Sequence, residues 1–176
     1  MSGKIILVGI GGGVAAYKTA EVVSGLVRAG HEVHVAMTAA AQKFVGPATF
    51  SALTRRRVIT EMFPPPGATN GEDLFPHIYP ASRADLFLLA PATADLMARV
   101  ANGLGDDVVC CSALALRAEC ARIFCPAMNE HMWAQPSVQE NVRRMIALGW
   151  NRLGPETGAL ACGTVGPGRM SEPVDV

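Results

Sequence analysis

Lys4–Ile10 (KIILVGI) runs directly into Gly11-Gly12-Gly13 and then into Val14–Ala29 (VAAYKTAEVVSGLVRA). The first piece is short, apolar and rich in β-branched residues, the pattern of a strand buried on both faces. The last carries Ala15, Val22, Val23, Leu26 and Val27 on one helical side, and Gly30 stops it. Strand, glycine turn and helix make the opening unit of an α/β sheet. The alternation continues outward. Glu32–Met37, Asp85–Ala90 (DLFLLA, closed by Pro91) and Ala121–Cys125 read as strands. Ala92–Asn102 and Asp106–Leu116 read as helices parted by Gly103 and Gly105, and Pro136–Leu148 as an amphipathic helix opening on Pro. Near-continuous apolar strands alternating with helices predict a single-domain α/β fold. It is a doubly wound parallel sheet, Rossmann-like or flavodoxin-like, with helices on both faces.

The remaining properties agree with one folded domain. The chain has 176 residues, and 15 basic against 15 acidic side chains leave no net charge. That balance offers nucleic acid or an anionic membrane no general hold, so neither is expected as a partner. Half the residues are hydrophobic and the mean hydropathy is +0.27, too apolar for a disordered chain. The five cysteines form no CxxC pair, and Cys110 and Cys111 are adjacent, which indicates neither a disulfide framework nor a zinc site. No apolar run approaches the ~18 residues that span a bilayer, and no basic–apolar signal segment leads the chain. A soluble, cytoplasmic protein is expected.

Two segments escape the rhythm. Phe63–Asp73 (FPPPGATNGED) has no periodicity and reads as a surface loop. Pro155–Pro173 (PETGALACGTVGPGRMSEP) reads as an irregular, mobile flap that nonetheless carries Cys162, Arg169 and Met170. The expected organisation is an α/β ligand-binding body over residues 1–154, with a Gly-rich flap and tail over 155–176 of the same domain.

In an open α/β sheet, ligands sit beyond the carboxyl ends of the strands. The first strand ends in Gly9–Gly13 before a helix, where backbone N–H groups can cradle a phosphate. The dinucleotide fingerprint fails, because Val14 stands where its third glycine belongs. The second strand ends in Met37-Thr38, with a hydroxyl where an acid would hold an adenosine ribose. A mononucleotide such as FMN is favoured over NAD. The third strand leads to Thr93, Ala94 and Asp95, which suit either a ligand contact or a helix cap. The fourth leads to Ala127, Met128 and Asn129, where Asn129 has the placement of an N-cap. His77 lies in a loop before the third strand and by itself reads as incidental. Cys110, Cys111, Cys120 and Cys125 fall in helix or strand runs and behave as small hydrophobes. Cys162, between Ala161 and Gly163 in the flap, is instead a candidate acid, nucleophile or redox thiol.

Together these segments resemble the flavin-containing cysteine decarboxylases, most closely the phosphopantothenoylcysteine decarboxylase branch of coenzyme A biosynthesis. Pro126–Trp133 (PAMNEHMW) and Leu160–Met170 (LACGTVGPGRM) carry the likeness. Gly12–Lys18 (GGVAAYK), His77-Ile78 and Ala90–Ala94 (APATA) support it. The resemblance implies FMN contacts at Gly12, Gly13, Val14, Thr38, Thr93, Ala94 and Ala127. It also implies His77 as base, Asn129 as binder of the substrate carboxylate and Cys162 as proton donor. Ala159, Ala161 and Met170 become substrate contacts from the flap. Gly13 replaces a frequent serine, and Asp95-Leu96 replaces a frequent Asn-Thr.

The implied chemistry needs these residue types. Loss of CO2 from an unactivated cysteine carboxylate leaves a carbanion with nowhere to delocalise. Oxidising the neighbouring CH2–SH to a thioaldehyde creates the electron sink, which flavin can do and a side chain cannot. Returning the hydride to the resulting ene-thiolate needs an acid. The resemblance further implies a homo-oligomer (a trimer, or a dodecamer of trimers) and a synthetase, fused or separate, that makes the substrate. Other relatives are peptidyl-cysteine decarboxylases, flavin prenyltransferases and non-catalytic phosphatase regulators. The two signatures argue against the prenyltransferases, and His77, Asn129 and Cys162 together favour an enzyme.

Overall fold

Alternate residues of the first strand serve two different cores, as expected of a sheet covered on both sides. The computed structural model describes residues 3–69 and 71–176. Its main sheet contains β1 (Ile5–Ile10), β2 (Glu32–Met37), β3 (Leu86–Ala92), β4 (Ala121–Pro126) and β5 (Asn151–Arg152). All pairings are parallel and the order is β2-β1-β3-β4-β5. Ile6, Val8 and Ile10 pack with Val22 and Val23 of α1 (Ala16–Arg28) and Phe50 of α2 (Pro47–Thr54). Leu7, Phe87, Leu89 and Phe124 face the other way. There they meet α4 (Ala94–Ala101), α5 (Val108–Leu114) and α7 (Pro136–Ala147) through Leu96, Met97, Val109, Val142 and Met145. A short α3 (Gly71–Leu74) precedes β3, and α6 (Glu130–Trp133) follows β4. The Phe87 and Phe124 rings meet Trp150 edge-on at 5.7 and 6.4 Å. Fully buried side chains of this size each contribute about 1.5–3 kcal/mol.

The doubly wound parallel sheet agrees with the sequence. Two local expectations do not. Pro155–Pro173 is not irregular: β6 (Glu156–Ala159) and β7 (Val165–Arg169) pair antiparallel as a separate ribbon, with Gly158 opposite Gly166 and Ala159 opposite Val165. Its glycines and prolines are poor strand formers, so the pairing rests on the backbone and on docking against the body. Met128 N donates to Gly168 O at 2.9 Å, fixing the ribbon beside the chain leaving β4. Gly168 has φ +134°, and a Cβ there would strike the Met128 carbonyl, so this approach needs glycine. The second difference is α2, absent from the sequence reading. Within Phe63–Asp73 the loop reading holds for residues 63–69, residues 71–73 begin α3, and residue 70 lies outside the described residues.

Candidate functional site

The strand order reverses direction between β1 and β3, and that switch point is where doubly wound sheets bind ligands. A cavity of about 650 Å³ opens there, within the ~300–1,000 Å³ typical of small-molecule sites. Gly12, Gly13 and Val14 line it after β1, Thr93 and Ala94 after β3, and Ala127 and Asn129 after β4. The ribbon contributes Ala159, Ala161, Cys162 and Met170 to the opposite wall. Of the thirteen site candidates from sequence, eleven line this cavity, and Thr38 and His77 do not.

The β1 end is built for an anionic ligand. No side chain caps the start of α1; Ala16 N and Lys18 N bond back to Gly13 O and Ala15 O, each at 3.0 Å, and this tight turn sets the glycines at the positive end of the helix. A Cβ on Gly12 would collide with Ala40, so glycine lets the loop after β2 close onto the turn. Thr38 belongs to that loop, where its hydroxyl accepts from Ala41 N at 3.1 Å instead of lining the cavity. Thr93 caps α4, accepting from Leu96 N at 3.2 Å, and also faces the cavity. The helix-cap and ligand-contact readings of Thr93 are therefore compatible.

The same holds for Asn129. Its Oδ1 accepts from His131 N at 2.8 Å and Met132 N at 3.4 Å, which caps α6. The cap consumes the carbonyl oxygen and so orients the amide, leaving Nδ2 as the donor. Nδ2 lies 3.4 Å from Cys162 Sγ at the ribbon tip, and Thr164 Oγ1 is 3.3 Å from the same sulfur. These hydrogen bonds, Thr164's first, hold the Cys162 thiol below its ordinary pKa. Burial does the opposite elsewhere, raising Cys110 and pushing Cys125 up to about 12. Cys162 alone of the five free thiols is exposed, which agrees with the distinction drawn from sequence.

His77 is the residue the fold sets apart. Its Nδ1 lies 3.1 Å from the Met62 carbonyl, and it does not line the cavity. Exposed Phe75 and Ile78 flank it. Lys18, Thr164 and Glu172 were not singled out from sequence. Lys18 sits in a helix whose exposed face also carries polar residues, and nothing local reveals that it is buried.

The Flavoprotein family pattern matches residues 1–176. The chain is 46% identical over 176 residues to the coenzyme A biosynthesis bifunctional protein CoaBC of Vibrio cholerae, and 41% identical to that of Escherichia coli. Both alignments cover all of this chain, but 43% and 42% of those relatives, so the chain spans under half their length. Among solved structures, the FMN-dependent cysteine decarboxylase SpaF superposes with a TM-score of 0.79 at 28% identity, covering 95% of this chain and 89% of that one. A PPC decarboxylase mutant complexed with pantothenoylaminoethenethiol gives a TM-score of 0.85, covering 99% and 93%, and at 24% identity that likeness is one of fold. The chain belongs to the flavoprotein family.

Proposed function

We propose that this chain carries out the FMN-dependent decarboxylation of 4'-phosphopantothenoylcysteine to 4'-phosphopantetheine in coenzyme A biosynthesis. The observation that carries the reading is the meeting of Asn129 and Cys162 over the cavity at the β1/β3 switch point. The names of the curated relatives and of SpaF support the pathway and the cofactor respectively. The uncapped start of α1 and the Gly12 turn fit a flavin phosphate, and the cavity size fits a mononucleotide. Gly12, Gly13, Val14, Thr93, Ala94 and Ala127 would hold it, with Thr38 supporting the turn from behind. When bound, FMN supplies the two-electron chemistry, taking a hydride from the thiol-bearing carbon and returning it after CO2 has left.

The protein's own groups supply orientation and protons. Asn129 Nδ2 donates to the substrate carboxylate, holding it without the ion pair that would stabilise its charge in the ground state. Cys162 gives a proton to the carbon skeleton of the ene-thiolate as the hydride returns, and hydrogen bonds from Thr164 and Asn129 stabilise the thiolate left behind. Ala159, Ala161 and Met170 form the substrate-facing side of the ribbon, which acts as a clamp on the same domain. His77 lies off the cavity of its own chain, so its role as base requires a homo-oligomer in which it reaches the cavity of a neighbouring copy. A trimer, alone or within a dodecamer, satisfies this, and the synthetase that makes the substrate is the expected partner in the cytoplasm.

Purified protein incubated with 4'-phosphopantothenoylcysteine, and separately with a peptide ending in cysteine, tests the reading. Release of CO2 from the first and not the second supports it. Release from the peptide alone would assign the chain to peptide modification.

A further inference from the structure

Lys18 is an ammonium buried to 8% exposure on the first turns of α1. A buried charge persists only with close partners. Lys18 Nζ donates to Met170 O at 3.1 Å and to Glu172 Oε1 at 2.9 Å, both just beyond the end of β7. Arg169 Nη1 approaches the same Glu172 carboxylate at 3.5 Å. Lys18 and Glu172 also line the cavity. One helix therefore lines the cavity at its start and, within the same first turn, grips the chain leaving the ribbon. Among the described residues no other α1 side chain bonds to the ribbon or its exit; Thr19 bonds instead to Ala90 O at 2.9 Å in the sheet.

We infer that Lys18 is a positioning residue for the reaction, latching the exit of β7 to α1 so that the ribbon holds Cys162 over the cavity. This rests on the proposed function for its catalytic consequence, but the latch itself does not. Without the ammonium, Met170 O and Glu172 lose their common donor, and the ribbon keeps its Met128–Gly168 bond as a pivot. The body of the sheet is untouched.

The test uses flavin-loaded protein carrying Lys18→Met, Lys18→Arg or Glu172→Gln, with amide hydrogen exchange read across the chain. In Lys18→Met, amides of residues 156–169 should exchange about 10-fold faster or more, while those of α4 and α7 keep their protection. Turnover should show kcat lowered about 10-fold, because the acid Cys162 is no longer held over the cavity, with KM changed less, and Lys18→Arg should recover part of the losses in kcat and in protection. Glu172→Gln leaves the Met170 bond in place and should give a smaller change of the same kind, which keeps the test available if Lys18→Met does not fold. Unchanged exchange in the ribbon, or equal acceleration throughout the chain, overturns the inference. If the wild type does not turn over phosphopantothenoylcysteine, the proposed function fails while the exchange result still decides the latch.

Discussion

Asn129 Nδ2 lies 3.4 Å from Cys162 Sγ, joining the corner after β4 to the tip of the ribbon across 33 residues of sequence. The opposite end of the same amide is fixed by the α6 cap, so Asn129 can present only its N–H groups to a ligand. Replacing it with Asp preserves the cap, since Asp caps a helix about as well as Asn. It also removes the donor and sets a carboxylate against the substrate carboxylate. Asn129→Asp should keep its fold and flavin but lose about 100-fold or more in kcat/KM. Near-normal turnover would reduce Asn129 to a cap.

The Cys162 environment makes a pH prediction. Because Thr164 and Asn129 stabilise the thiolate, the thiol titrates below its ordinary value. The protonated form is the acid, so the share of competent enzyme falls as pH rises through that lowered pKa. Thr164→Val removes the largest cause and should move the alkaline limb of the pH–rate profile upward, whereas Thr164→Ser should leave it in place. A downward shift, or none, would contradict the assignment.

Thr93 and Asp107 separate capping from ligand binding. Asp107 caps α5, accepting from Val109 N at 2.8 Å and Cys110 N at 3.0 Å, and it does not line the cavity. Asp107→Ala should cost about 1 kcal/mol of stability with flavin content unchanged. Thr93→Asp keeps a capping oxygen but brings a negative charge to an anion-binding cavity, so it should fold and lose its flavin. Absorbance per protein and denaturant melts distinguish the two.

His77 yields a prediction about assembly. His77→Asn and Cys162→Ser proteins should each fail, alone, to form fully reduced 4'-phosphopantetheine. Dissociated and reassembled together, they should recover roughly a quarter of wild-type activity, because random assortment restores sites that draw on two copies. No recovery in mixed oligomers would mean that His77 does not act across an interface.

The strands and the long helices were legible because Val, Ile and Leu runs and apolar stripes are local signals. The α2 helix was not, since Ala48, Phe50, Ala52 and Leu53 form no clear stripe and only Phe50 is buried. The ribbon was missed because its register is set by backbone pairing among glycines and by docking, neither of which has a side-chain pattern. The site residues at strand ends were readable from topology together with the family resemblance. The displacement of His77 and the burial of Lys18 depend on long-range packing, and no spacing in the sequence encodes them.

The most direct measurement is mass spectrometry of the small-molecule product after anaerobic mixing with 4'-phosphopantothenoylcysteine. Wild-type protein should release CO2 and yield 4'-phosphopantetheine. Cys162→Ser should also release CO2, but lose its visible flavin absorbance and yield an ene-thiol lighter than that product by two hydrogens, because serine is far too weak an acid to complete the return step. Unchanged substrate from the wild type, or fully reduced product at the wild-type rate from Cys162→Ser, would contradict the account.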